Sequence, residues 1–246
     1  MITRDRFWEI IEASQADTRE EQLERFRWEL QQLSREEMVE FAKHFAHLHF
    51  DAYTWDLWVV AWLCAGGLCS DDGFEYFRRW LISRGRQLYE RAVSDPDSLV
   101  DTLATNRHPG FEKFGDVLGQ VYSERGFAEW PELNVTRPKE PMGGDWLRPE
   151  LKDRTGSKML NRCVVFNEMG DPEFAEIERR FPRTWQFCIE QGIITFRDPN
   201  APPPEPTPEE IARSKVDPNL EKTDFAAYIT ALAKAAREEY ERRRQR

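Results

Sequence analysis

The sequence predicts a mainly α fold: a compact helical bundle over residues 1–126, an irregular Pro/Gly-rich segment over 127–160, and a smaller helical or α+β region over 161–246 that includes a polyproline linker. Three observations predict it. Apolar residues recur three and four positions apart through the first half, the spacing of one helix face. Helix-start signals such as Ser34 with Glu37, and Thr54, stand directly before those runs. From Gly126 onward the periodicity stops, and Pro131, Pro138, Pro141, Gly143, Gly144 and Pro149 interrupt the chain. A length of 246 residues allows one large domain or two small ones. A mean hydropathy of -0.72 leans toward disorder. Nine Trp, sixteen Phe and six Tyr weigh against it, because each ring can bury roughly 150–250 Å².

The elements follow in order. Phe7, Ile10 and Ile11 mark a first helix after Thr3. Leu23, Phe26, Leu30 and Leu33 step by three and four along a second. Ser34 and Glu37 form a capping box that opens a third, whose core face is Met38, Phe41, Ala42, Phe45 and Leu48. Thr54 caps a helix that is apolar almost all round, from Trp55 through Leu63, and is therefore expected at the centre of the core. Gly66-Gly67 ends it. After Leu68-Cys69-Ser70-Asp71-Asp72-Gly73 a helix carries Phe74, Phe77, Trp80, Leu81 and Ile82, with Gly85 as a break or kink. Asp95-Pro96-Asp97 is a turn or restart. Phe111, Phe114, Val117, Leu118, Val121 and Tyr122 define another amphipathic helix. In the irregular segment Trp130 and Trp146 are expected anchors on the core. Asp171-Pro172 and Thr184 each open a helix, the latter ended by Gly192. Val164–Phe166 and Ile193–Phe196 read as short strands that can pair. Ala201 to Pro206 is stiff polyproline, and a last helix carries Phe225, Ile229, Leu232 and Tyr240.

Charge bounds the partners. The net charge of -10 repels nucleic-acid phosphates. The one basic cluster, Arg237 to Arg246, is diluted by Glu238, Glu239 and Glu241 and reads as a solvated helix end. No apolar run is long enough for a membrane span, and no secretory signal is visible. Cys64, Cys69, Cys163 and Cys188 form no CxxC pair, so free thiols in a reducing cytoplasm are expected.

Function is expected at the acidic turn. Ser70, Asp71 and Asp72 precede a helix whose unpaired N–H groups attract negative charge. The bland reading makes Ser70 or Asp71 a cap and Asp72 a first-turn acid, each suited to the dipole. The functional reading groups Asp71 and Asp72 with Glu75 or Asp56 as oxygen ligands for a divalent metal such as Mg²⁺ or Mn²⁺, with Arg78 and Arg79 pairing an anionic substrate. Neighbouring helical residues point about 100° apart, which works against a shared ion. Trp55, Trp58 and Trp62, at i, i+3 and i+7, can wall a ligand pocket or simply fill core. His44 and His47 share a helix face without a third ligand. Cys69 sits at a helix start, the position that activates a thiolate, but beside two acids that oppose one. There is no phosphate-binding glycine loop and no nucleophile elbow.

The run from Tyr53-Thr54-Trp55-Asp56-Leu57-Trp58 to Gly66-Gly67, then Cys69-Ser70-Asp71-Asp72-Gly73-Phe74 and Phe77-Arg78-Arg79-Trp80-Leu81-Ile82, resembles the bacterial domain-of-unknown-function family numbered 4240. The likeness continues through Gly85-Arg86, Tyr89 and Asp95-Pro96-Asp97-Ser98-Leu99 and covers the first half of the chain. It implies a folding unit and no reaction. The leading expectation is a non-catalytic module that binds a protein or a small molecule. The alternatives are a metal-assisted hydrolase or transferase built on Asp71 and Asp72, and a small-molecule sensor with a tryptophan-lined pocket.

Overall fold

The computed structural model describes residues 1–65, 69–103, 109–127, 132–146, 164–166 and 175–196, the two strand segments by backbone alone. Short polar residues start its first five helices. Thr3 caps α1 (Arg4–Ala13), Thr18 caps α2 (Arg19–Gln31), and Ser34 with Glu37 completes a capping box for α3 (Arg35–Asp51). Each hydroxyl accepts an N–H that the first turn leaves free. Phe7, Ile10 and Ile11 of α1 meet Phe26 and Leu30 of α2 and Phe41 of α3 in a buried cluster. Phe7 and Phe41 are 4.5 Å apart between ring centres.

On α2 the buried polar residue differs from expectation. Gln22 is inside and Leu23 only half-buried. The reason is a hydrogen bond: Gln22 Nε2 donates to the Ser83 carbonyl at 2.8 Å and satisfies the end of a neighbouring helix. Leu23 instead lines an open cleft of about 490 Å³ beside Val117. Phe45 of α3, expected in the core, is likewise half-buried.

The helix α4 (Trp55–Cys64), capped by Thr54, buries Trp55 and every residue from Leu57 to Leu63. Its all-round apolar sequence is answered by neighbours on several sides: α5 (Asp71–Ser83), a 3₁₀ turn (Pro96–Leu99) and a helix from late in the chain. Gly85, at φ +90°, breaks the chain between α5 and α6 (Arg86–Ser94). A side chain there would be strained and would meet Gln15 and Glu12. After α7 (Val100–Leu103), α8 (Glu112–Glu124) packs on α2, α3 and α5.

Residues 132–146 form an extended strap over α4. Met142 N–H donates to the Tyr53 carbonyl at 2.9 Å, and Trp55 N–H donates to Met142 at 3.0 Å. Gly144 lies against the Trp55 ring so closely that a Cβ there would overlap it. Trp146 anchors the strap, as expected of it: its indole N–H donates to Asp56 Oδ1 at 2.7 Å.

Two helices follow, α9 (Ala175–Arg180) and α10 (Pro182–Glu190), the latter seated on α4. Thr184 does not open α10 as expected. Pro182 is its first residue, and the two carboxylate oxygens of Asp97 accept the N–H groups of Arg183 and Thr184 at 3.0 and 2.8 Å. The cap thus comes from a residue 86 positions before Arg183. Val164–Phe166 (β1) and Ile194–Phe196 (β2) pair in a two-stranded sheet. Met1–Thr195 form one compact unit and Phe196–Arg246 a second. The described region is mainly α. Gly66-Gly67, Trp130, Cys163, Asp171-Pro172, the polyproline run and the last helix with its basic end lie outside the described residues. Among the described residues no helix is long and apolar enough to cross a membrane.

Candidate functional site

The site is built where α3 ends, α5 begins and the strap passes. Ser70 is the N-cap of α5, its hydroxyl accepting Gly73 N–H at 3.2 Å. Asp71 and Asp72 occupy the first turn with exposed side chains. Partial burial and the neighbouring Asp72 hold the Asp71 carboxyl above its usual range, against the opposing pull of Arg137. The acids expected to join them are committed elsewhere. Glu75 is bonded to Arg79, which also meets Asp116 at 3.1 Å. Asp56 holds Trp146 and, at 2.9 Å, Arg180. Among the described residues, no group of three His, Cys, Asp or Glu side chains is placed to ligate a metal.

Two turns into α5, Arg78 is buried, with 3% of its surface exposed. Its Nε donates to the Phe74 carbonyl at 3.4 Å. One terminal nitrogen donates to the His49 carbonyl at 2.7 Å and to His49 Nδ1 at 3.3 Å. The guanidinium also lies over the Tyr53 ring at 4.6 Å and the Phe74 ring at 5.1 Å. Among the described residues no carboxylate comes within ion-pair distance of it. Burial lowers the Arg78 pKa to about 10, still protonated at neutral pH.

Those contacts fix the state of His49. A guanidinium only donates, so Nδ1 must accept, and Nε2 must carry the proton that reaches the Glu75 carbonyl at 3.4 Å. The ring is therefore neutral. Burial first, and then the charge of Arg78, push its pKa down to about 3. Arg137, exposed on the strap, adds its positive charge to the same corner and acts on His49, Tyr53, Asp71 and Arg78. It makes no ion pair among the described residues.

The tryptophans stand behind this corner. Trp58, 2% exposed, stacks on Trp55 at 5.2 Å and on Phe74 at 4.8 Å, and its N–H donates to the Cys69 carbonyl at 3.0 Å. Trp62 is 5% exposed in the core. The Cys69 thiol is the reverse of an activated one: burial pushes it up to about 12. His44 faces the Ile2 carbonyl, at 3.0 Å.

A family model described as a protein of unknown function, DUF4240, matches residues 2–124. The chain belongs to the DUF4240 family. The match ends at the last residue of α8, so the DUF4240 segment spans α1 to α8 and includes every residue of the corner except Arg137. No curated protein and no solved structure matches the chain.

Ser70, Asp71, Asp72, Glu75 and Arg78 share one helix start, as the sequence places them. His49 and Tyr53 join them through their contacts with Arg78. Both precede the DUF4240 motif's central helix, yet nothing in their spacing links them to Arg78. Arg137 carries no sequence signal at all, since only the strap's pairing with Tyr53 brings it there.

Proposed function

We propose that the chain is a non-catalytic binding module whose ligand faces the corner of His49, Tyr53, Asp71, Arg78 and Arg137. The observation that carries this reading is Arg78, a buried cation that meets no carboxylate among the described residues. Buried charges are costly and are ordinarily paired. The His49 carbonyl, at the negative end of α3, and the two rings offset part of the charge, and a bound ligand completes it. The roles of the other polar groups agree with binding rather than chemistry: Ser70 caps, Asp71 and Asp72 face water at a helix start, and the Cys69 thiol is held protonated. The net charge of -10 favours a small molecule or a protein over nucleic acid. Cys64, Cys69 and Cys188 are free, which fits the reducing cytoplasm that we propose as the location.

Native mass spectrometry of the freshly isolated protein tests the reading. A co-purified mass should be present in the wild type and absent from Arg78→Lys, whose ammonium cannot reproduce the forked contacts. A bare wild-type chain that also shows no response to any added small molecule defeats it. The metal-assisted reading is separated by melting. Mg²⁺ or Mn²⁺ at a hundredfold excess over Kd would raise Tm by roughly 5–10 °C if Asp71 and Asp72 were ligands. We expect the wild type and Asp71→Asn/Asp72→Asn to be equally indifferent to either metal.

A further inference from the structure

The charges that remain at the corner define the ligand's chemistry more narrowly, on the reading that a ligand binds there. Arg79, the third guanidinium nearby, is already balanced by Glu75 and Asp116. Arg78 and Arg137 are not, and they belong to different parts of the chain: α5 and the strap. Two carboxylates, Asp71 at the start of α5 and Glu140 on the strap, act on Tyr53, but neither makes an ion pair with Arg137 among the described residues. Arg137 does draw on the Asp71 proton, but burial and Asp72 outweigh it and hold that carboxyl above its usual range.

Arg78 still has donors to give. Its Nε and one terminal nitrogen are engaged with Phe74 and His49 carbonyls and with the His49 ring. The second terminal nitrogen has no hydrogen-bond partner among the described residues. Tyr53, whose ring lies on that guanidinium, is half-buried, and its hydroxyl likewise bonds to nothing among them. The same Tyr53 pins the strap through its carbonyl, so Arg137 is carried past at a fixed register, five residues before Met142. Two unbalanced guanidiniums and a free phenol suit a doubly charged oxyanion, to which guanidinium donors bond strongly because both partners are charged.

We propose that Arg78, Tyr53 and Arg137 form a subsite for the phosphate group of a small phosphomonoester, closed on its outer side by the strap. Arg78 supplies the buried donor, Tyr53 a hydroxyl donor, and Arg137 the outer positive charge.

The test is thermal unfolding of the full chain with inorganic phosphate as the probe. Sodium chloride holds ionic strength constant, because phosphate in bulk stabilises any fold by exclusion. Arg78 also ends α3, so its loss can unfold the protein. Arg137→Gln and Tyr53→Phe are therefore the informative variants, one exposed and one losing a single hydroxyl. Phosphate should raise the wild-type Tm saturably, by roughly 5–10 °C at a hundredfold excess over Kd. Arg137→Gln should melt like the wild type without phosphate and require at least tenfold more phosphate for the same shift. Tyr53→Phe should fall between the two. A phosphate response equal in wild type and Arg137→Gln overturns the subsite, as does acetate acting as strongly as phosphate. If phosphate has no effect but an Arg78-dependent mass co-purifies, the phosphate assignment fails while the binding reading stands. If both are missing, both fail.

Discussion

The acidic turn that serves the start of α10, Asp95-Pro96-Asp97, and the acidic turn that opens α5, Ser70-Asp71-Asp72, treat charge in opposite ways. At α10, Asp97 is buried and both its oxygens accept backbone N–H groups, while Asp101 takes Arg183 at 2.6 Å. Each charge there has a partner. At α5, Ser70 does the capping, Asp71 and Asp72 remain in water, and Arg78 is buried without a carboxylate among the described residues. Asp95-Pro96-Asp97 and Ser70-Asp71-Asp72 are similar strings, so an acidic turn in a sequence does not say whether its carboxylates hold the fold or face a ligand. The difference lies in what arrives later in the chain. A helix start beyond residue 180 meets Asp97, whereas no carboxylate among the described residues meets Arg78.

The comparison can be broken first at Asp97. Asp97→Ala leaves two N–H groups without acceptors, one of them on a fully buried residue, and should cost about 3 kcal/mol. Urea unfolding measures it. A loss below about 1 kcal/mol would mean that water replaces the carboxylate, and the two helix starts would then be alike.

The pH dependence of stability sharpens the other side. His49 has a folded pKa near 3, below its ordinary 6.5, so the unfolded chain binds the proton more readily between those values. The stabilisation from neutral His49 is complete above pH 6.5 and is lost as pH falls toward 3. The slope is one proton, about 1.4 kcal/mol per pH unit. The difference in stability between wild type and His49→Asn should therefore shrink from pH 6.5 to pH 4.5. A constant difference would show that His49 titrates normally and that Arg78 does not oppose its charge.

The smallest effects are expected at the acidic turn itself. Ser70→Ala should cost about 1 kcal/mol, the usual worth of a cap. Asp71→Asn/Asp72→Asn should cost a few tenths, the part of the helix-dipole interaction that water leaves. If the double variant is the more damaging, Asp71 and Asp72 hold something that Ser70 does not.

The bundle was legible because it is local. Caps at Thr3, Ser34, Thr54 and Ser70 lie within four residues of the N–H groups they serve, and the apolar spacing of α4 and α5 is a property of each helix alone. Gln22 and Leu23 exchanged roles because burial of Gln22 depends on a carbonyl 61 residues away. Thr184 carries the local signal of a helix start for the same reason: the group that does cap α10, Asp97, is remote in sequence. At the candidate site the sequence supplies Ser70 through Arg78 as one run. It does not supply Arg78's burial, the neutral His49 ring or the presence of Arg137, since each arises from the packing of three separate segments.

Gly144 bears on how the strap would be recognised in other chains. Its backbone rests on the indole of Trp55, and any side chain at that position would have to occupy the ring's own volume. Position 144 therefore acts as a sieve on sequence: a chain with alanine there cannot lay this segment on α4 in the same register, however similar its bundle. A glycine two residues after the one that pairs with Tyr53, set against a tryptophan at the start of the apolar helix, is thus a two-residue signature for the strap. It can be sought beyond residue 124, where the family resemblance stops.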